Sequence, residues 1–456
     1  MKPWKIIMSK PSSSPSPDTN SVVTLEKIVS LCKRKGFVFP AADIYGGING
    51  IYDFGHLGHL MKENIKNAWK KSICDNTLGN IFFLDGSLIG PQAMWQASGH
   101  LANFHDPMID CMNCKKRFRT DDDAINVEKP CPSCGVKAWT AIRDFNLMFQ
   151  TNLGALQDES TKAYLRPETA QTIFVQFKNI LGTSRTKLPF GVAQIGKAFR
   201  NEITPKQFLF RMREFEQMEL EWFCKDVQSM QTFDYWVAKR KEFYATIGID
   251  IKKIRMYQHP KEKLSHYSKC TFDVEYEFPF GFKELEGIAH RGTFDLTQHA
   301  KHSGKDQSVF DQETNSSEIP TVVETSVGVE RLFLTLLFDA YHEDSMDGET
   351  RVVLKLHPSI APIKACVLPL VKKLQEPAEK LFQDLKKQFL NIEFDESGSI
   401  GKRYRRNDEI GTPICFTVDF QTLEDQTITA RHRDTGAQER IKIDQACNFL
   451  QKILLG

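Results

Sequence analysis

No stretch of this 456-residue chain is apolar for the roughly 20 residues that a helical bilayer span needs, which excludes an integral helical membrane protein. Bulk charge is also missing, because 60 Lys and Arg against 58 Asp and Glu leave a formal net charge of +2. Near-neutrality neither demands nor forbids a nucleic-acid partner, so any such contact must come from a local basic patch. No internal repeat is evident. Residues 1–20, MKPWKIIMSKPSSSPSPDTN, lack arginine and any amphipathic repeat, so neither a secretory signal nor a transit peptide is indicated. Their Ser and Pro content predicts a disordered tail.

What is present points to a globular protein of two or three domains, with 41% hydrophobic and 26% charged residues. Four of the 11 cysteines form two Cys-x-x-Cys pairs and the rest are scattered, a usage that favours a reduced, cytoplasmic compartment and a metal site over disulfides. Cys111 and Cys114, then 16 residues, then Cys131 and Cys134 have the spacing of a four-thiolate zinc knuckle; the competing reading is two buried cysteine pairs. A shell of four protein ligands leaves no open position, so the expected Zn²⁺ is structural.

The most informative stretch runs from Phe199 to Phe223, FRNEITPKQFLFRMREFEQMELEWF. Two strand-like runs flank a loop, and side chains alternate between the faces of a strand. Arg211, Arg213, Phe215, Gln217, Glu219 and Glu221 then share one face, while Met212, Met218, Leu220 and Trp222 share the other. An antiparallel sheet with one wet face would give the same alternation. The order along the charged face says more: arginines lead, an aromatic follows, and carboxylates come last. That order suits a ligand with a polyanionic end, a flat ring and a cationic end.

Elsewhere, Leu60, Ile65, Trp69 and Ile73 form the apolar stripe of a helix with lysines on its other side, and IFFLDGSLIGP reads as a strand ending at Pro91. Residues 301–319 read as a polar loop, and VVETSVGVERLF as a strand, a glycine turn at Gly328 and a helix. From Val352 onward strands alternate with helices, the pattern of a small α/β domain with a mixed sheet. Within it, GKRYRRNDEIG gathers Lys402, Arg403, Arg405 and Arg406 around Tyr404, which fits either a solvated face or an RNA contact.

The 199–223 stretch resembles the second signature motif of class II aminoacyl-tRNA synthetases, carried by Phe199, Arg200, Glu202, Arg211 and Phe215. YLRPETAQ (164–171), RMREFEQMELEWF (211–223), ELEGIAHRGTFDL (284–296) and VVETSVGVERLF (322–333) are similar in particular to the single-subunit-type, homodimeric glycyl-tRNA synthetases. The resemblance implies an α+β chain. Its parts would be an antiparallel-sheet catalytic domain over 21–345, a zinc-knuckle insertion at about 108–140 and an anticodon-binding domain over 351–456. It also implies a homodimer, glycine–tRNA ligase activity, and ATP, Mg²⁺, glycine and tRNA(Gly) as ligands.

Carried over residue by residue, the resemblance assigns ATP to Arg200, Asn201, Glu202, Phe210, Arg211, Phe215, Glu284, Leu285, Gly328 and Arg331. Arg200, Arg211 and Arg331 would be catalytic through the phosphates, since guanidinium offers a planar fork that stays charged. Glu284 would help to place Mg²⁺. The glycine pocket would comprise Arg119, Glu168, Phe215, Gln217, Glu219, Arg291, Glu324 and Ser326. Glycine has no side chain to recognise, so selection would come from a crowded wall. Two competitors are a class II synthetase for another small amino acid and a non-catalytic, synthetase-like nucleic-acid-binding protein. The first should not share the RPETAQ, REFEQMELE and ETSVGVER segments together, and the second should lack the arginines and carboxylates that are all present here.

Overall fold

The computed structural model describes residues 23–120, 125–260, 262, 264, 268–312, 314–346 and 348–455, so the expected tail of 1–20 lies outside it. Seven strands build the central sheet: β1 (Ile81–Phe83), β2 (Phe190–Phe199), β3 (Glu214–Cys224), β4 (Ile254–Gln258), β5 (Cys270–Phe278), β6 (Gly281–Gly292) and β7 (Thr321–Gly328). Their spatial order is β4-β5-β6-β7-β3-β2-β1, and only the β1–β2 pair is parallel.

Helices α1 (Leu25–Lys35), α2 (His56–Cys74), α3 (Ala170–Ser184), α4 (Asp226–Thr246), α5 (Phe294–Ser303) and α6 (Val329–Ala340) flank this sheet. The ends of α1 follow from its sequence: the Thr24 hydroxyl accepts from Lys27 N, Glu26 opens the helix, basic residues close it, and Gly36 takes the left-handed cap at φ 75°. Met218, Leu220 and Trp222 of β3 enter one large core together with Ile65 and Trp69 of α2, Trp236 of α4 and Leu332 and Phe333 of α6. On the opposite face, α3 and α5 supply Ile173, Phe174, Phe177 and Leu296 to a smaller core around Phe190, Val192 and Phe223.

The second domain follows a hairpin of β8 (Tyr341–Met346) and β9 (Glu349–Leu354). Its five strands, β10 (Ala365–Pro369), β11 (Ile392–Phe394), β12 (Ile414–Val418), β13 (Thr427–His432) and β14 (Gln438–Lys442), lie in the order β11-β10-β12-β13-β14. β10 is parallel to both neighbours and the other pairs are antiparallel, which is the expected mixed sheet. Helices α7 (Gln375–Lys386), α8 (Ile400–Ile410) and α9 (Ala446–Leu455) complete it. A separate three-stranded sheet of His105–Asp110, Arg117–Arg119 and Arg143–Asn146 carries the cysteine pairs.

Several expectations change. IFFLDGSLIGP divides in two: Ile81–Phe83 joins the central sheet and Ile89–Pro91 joins another, and Gly86 between them packs where a Cβ would lie 2.6 Å from Thr172 Oγ1. The polar 301–319 segment contains the last residues of α5 and a short hairpin, Val309–Asp311 with Ser316–Glu318. Lysine is not confined to the outer side of α2, since Lys62 is buried among its apolar residues. The basic cluster of α8 largely turns inward: buried Arg403 donates to Pro369 O at 2.7 Å, Arg406 pairs with Asp395, and the Tyr404 hydroxyl bonds Thr417 Oγ1 at 2.7 Å. Lys402 alone of that set is exposed.

Gly58 lies in the first turn of α2, where the helix crosses the Phe37 carbonyl, and a Cβ there would lie 1.9 Å from Phe37 O. That oxygen is held in place, because it accepts from Gly55 N at 3.0 Å. Alanine normally favours a helix over glycine by about 1 kcal/mol. Here Gly58→Ala should instead destabilise by about 1–3 kcal/mol, the usual cost of overpacking. Thermal unfolding of the two proteins checks this, and an equal or higher midpoint for the variant would refute it.

Candidate functional site

A cleft of about 350 Å³ opens over the β3–β7–β6 part of the sheet. Register sets its chemistry: Gln217 faces Gly328, Glu219 faces Ser326 and Glu221 faces Glu324 across β3 and β7. Cross-strand partners share a face, so polar residues of both strands meet on one side. This face is polar as expected but not wet, since Gln217, Glu219 and Glu221 are all buried beneath α3 and its preceding turn. β3 itself begins at Glu214, so Arg211 and Arg213 precede it and alternation does not govern them. Arg211 lines the cleft; Arg213 turns away and donates to Asn49 O at 2.7 Å and Glu202 O at 2.9 Å.

At the Phe215 end the cleft is cationic. Arg200, Arg211 and Arg331 line it together with Glu202, Phe210, Glu284, Leu285 and Gly328. The Arg200 guanidinium sits 5.3 Å from the Phe215 ring centre and 5.4 Å from that of Phe104, with Nε donating to Pro167 O at 3.1 Å. Arg200 and Glu202, two positions apart, form no ion pair; Glu202 instead stands 3.8 Å from Arg211. Arg331 lies 4.5 Å over Phe210 and holds Glu284 at 3.1 Å. Gly328 has an ordinary φ of −77°, and a Cβ there would make only an ordinary 3.7 Å contact with Arg331 Cβ, so it lines the cleft and forms no glycine-specific turn.

At the other end Glu168, Glu219 and Glu324 line the cleft with Gln217 and Ser326. Glu219 is the most tightly held: its Oε2 accepts from Thr169 N at 2.9 Å and from the Thr169 hydroxyl, and its Oε1 from Ser326 Oγ at 2.6 Å and Gln217 Nε2 at 3.0 Å. Glu168 lies 3.3 Å from His100 Nε2 and accepts from Gln171 at 3.1 Å. Arg291 Nη1 donates to both oxygens of Glu324 at 3.0 Å, while its Nε and Nη2 grip Asp295 at 2.8 and 2.9 Å.

Burial pushes the Glu324 carboxyl up to about 7, against the pull of Arg291, and raises Glu219 as well. Glu168 moves the other way, despite its burial, because His100 and Arg291 hold it well below the usual carboxylate range.

Arg119, Asn201 and Arg291 do not line the cleft, and Arg291 reaches it through Glu324. Arg119 lies on the cysteine-bearing sheet, paired with Asp106 at 3.0 Å, and the Asn201 backbone donates to Leu147 O at 2.7 Å. Residues that sequence reasoning did not assign are Thr169, Gln171, His100 and Asp295. Thr169, Gln171 and Asp295 fall inside the quoted motifs, which was the available signal; His100 carried none.

The four cysteine sulfurs lie within 4.8 Å of one another. Lys115 and Gly135, each directly after a Cys-x-x-Cys pair, take left-handed φ values of 57° and 75°, and their N–H groups donate back to Cys111 O and Cys131 O. Sulfur separations of 3.6 Å for Cys111–Cys134 and 3.8 Å for Cys114–Cys131 match the edge of a tetrahedron with its centre roughly 2.3 Å from each thiolate.

Comparison with known proteins agrees with this geometry. Residues 149–341 match the tRNA synthetase class II core domain (G, H, P, S and T), and residues 364–453 match an anticodon binding domain. The chain is 50% identical to a glycine–tRNA ligase of Caldanaerobacter subterraneus subsp. tengcongensis, over 95% of this chain and 99% of that protein. It is 48% identical to glycine–tRNA ligases of Alkaliphilus oremlandii and Geobacillus thermodenitrificans, over 94% and 95% of this chain and 98% of each of those proteins. The chain therefore belongs to the glycine–tRNA ligase family of class II synthetases.

Glu221 is fully buried, and neither of its carboxyl oxygens has a hydrogen-bond partner among the described residues. Burial, then the facing Glu324, raises its protonation well above the usual range. The folded state thus holds a proton that the unfolded chain releases near 4.5, and stability falls as pH rises above that value. Glu221→Gln removes this loss. The variant should gain on the wild type by up to about 1.4 kcal/mol per pH unit over the range in which pH rises above 4.5. Denaturant unfolding of both proteins across that range checks the slope, and a pH-independent difference would contradict it.

Proposed function

We propose that the protein ligates glycine to tRNA(Gly) in two steps. Glycine carboxylate attacks the α-phosphorus of ATP, giving glycyl-adenylate and pyrophosphate; the terminal ribose hydroxyl of the tRNA then attacks the adenylate carbonyl and releases AMP. The observation that carries this reading is the order of charge along one cleft: Arg200, Arg211 and Arg331 gather around Phe215 at one end, and Glu168, Glu219 and Glu324 meet at the other. No side chain needs to act as a covalent nucleophile. Catalysis rests on holding the reactants in line and on charge stabilisation of the phosphates by Arg200, Arg211 and Arg331. Glu284, exposed beside Arg331, is suited to help place Mg²⁺, which when bound would neutralise phosphate charge. Phe215 offers a face for adenine, with Arg200 against it.

The glycine ammonium fits between Glu168, Glu219 and Glu324. Ser326 and Gln217 already fill the gap beside Glu219, so a substrate with a side chain would meet the wall, and exclusion replaces recognition. Arg291 supports this pocket through Glu324. Arg119 and Asn201 are placed less directly, and a role for either requires closure of the cysteine-bearing sheet or of the 200–213 loop over the substrate. The cysteine set is suited to one structural Zn²⁺ per chain that holds the insertion together. The C-terminal domain, over about 351–456, would bind the anticodon. Assembly as a homodimer and residence in the cytoplasm accord with this reading; among the described residues no helix is long and apolar enough to cross a membrane.

Arg200→Ala should lower glycine-dependent ATP–pyrophosphate exchange by about 100-fold or more while the protein stays folded, as expected for loss of a charge that acts on the transition state. Near-normal exchange in the folded variant would overturn the assignment.

A further inference from the structure

Behind the cationic end of the cleft lies a buried ion cluster that the reaction above does not use. Lys62, on the inward side of α2, is only 6% exposed. Its Nζ stands 2.5 Å from Glu216 Oε2 and 2.6 Å from Glu330 Oε1, and 4.2 Å over the Phe54 ring. Glu330 Oε2 in turn accepts the backbone N–H of Glu216 at 2.8 Å. The β3–β7 ladder ends one residue away, at Gln217 opposite Gly328, so this carboxylate takes the place of a missing strand partner. Lys66 adds a second positive charge, 3.4 Å from Glu216 Oε1.

The sequence neighbours of these two glutamates are the point of interest. Glu216 follows Phe215, and Glu330 precedes Arg331. One ammonium from α2 therefore ties together the strand that carries the aromatic wall and the helix that carries the third arginine. Stability alone explains such a cluster poorly, because a buried ion pair is often replaceable by apolar groups at no loss. Fixed geometry explains it better, since displacement of a reacting group by about 1 Å can cost up to about 100-fold in rate.

We infer that Lys62 is a positioning residue for the nucleotide end of the cleft: through Glu216 and Glu330 it sets the spacing between the Phe215 ring and the Arg331 guanidinium. The inference rests on the reading of that end as the ATP end. Lys62→Met removes the charge and keeps most of the volume. In glycine-dependent ATP–pyrophosphate exchange it should raise the KM for ATP about tenfold or more and leave the KM for glycine within about twofold. A merely structural role would reduce the amount of active protein and so lower the apparent kcat with both KM values unchanged, and that result, or an equal rise in both KM values, overturns the inference.

Arg331→Ala measured in parallel separates the two levels of the argument. If it leaves the KM for ATP unchanged, the assignment of the nucleotide end fails; if it raises that KM and Lys62→Met does not, positioning by Lys62 fails alone. Should Lys62→Met not fold, Glu216→Gln keeps the Lys62–Glu330 pair and is read in the same way. It should give a smaller, ATP-selective rise of roughly threefold, and an unchanged KM for ATP in this variant also overturns the inference.

Discussion

The antiparallel register of β3 against β7 is the constraint from which the site follows. It sets Glu219 opposite Ser326 and Glu221 opposite Glu324, and so gathers acidic groups on one sheet face that α3 and α5 then cover. A slip of one residue would send these carboxylates into the apolar core and Leu220 and Trp222 into the cleft. Burial of Met218, Leu220 and Trp222 on the other face forbids that slip. Hydrophobic packing on one side of the sheet thereby fixes polar geometry on the other.

That geometry carries an electrostatic cost. Arg291 answers Asp295 and Glu324 with a two-pronged contact to each, and Glu221 is left without a partner among the described residues. Glu219 survives burial by accepting hydrogen bonds from Thr169, Ser326 and Gln217. The acidic end is short of positive charge: burial first, and the neighbouring carboxylates with it, raise Glu219 and Glu324 against the pull of Arg291. A small cation entering that end would relieve the shortage. At the other end Arg200 faces two aromatic rings and a backbone carbonyl, while Arg211 and Arg331 stand beside Glu202 and Glu284.

Much of this was legible in the sequence, for identifiable reasons. Period-two alternation from Phe215 to Phe223 is unambiguous, so the facing of Glu219 and the core role of Trp222 could be read directly. Cysteine spacing located the thiolate cluster, and the alternating pattern after Val352 located the mixed sheet. What could not be read depended on contacts between distant segments. Lys62 appears in sequence as one more helix lysine, and only the approach of Glu216 and Glu330 makes its burial possible. His100 reaches Glu168 across 68 positions of chain, and no local pattern announces it. Arg403 and Tyr404 looked like a surface cluster because sequence does not show that Pro369 O and Thr417 wait beneath them.

An ammonium entering the acidic pocket would displace the protons that burial holds on Glu219 and Glu324. Calorimetric titration with glycine at a pH of about 6.5, in buffers of different ionisation enthalpy, tests it directly, because Glu324 is held near 7 in the free protein. Proton release, seen as a binding enthalpy that becomes more negative as the ionisation enthalpy of the buffer rises, is the predicted result. A binding enthalpy independent of buffer would contradict the account.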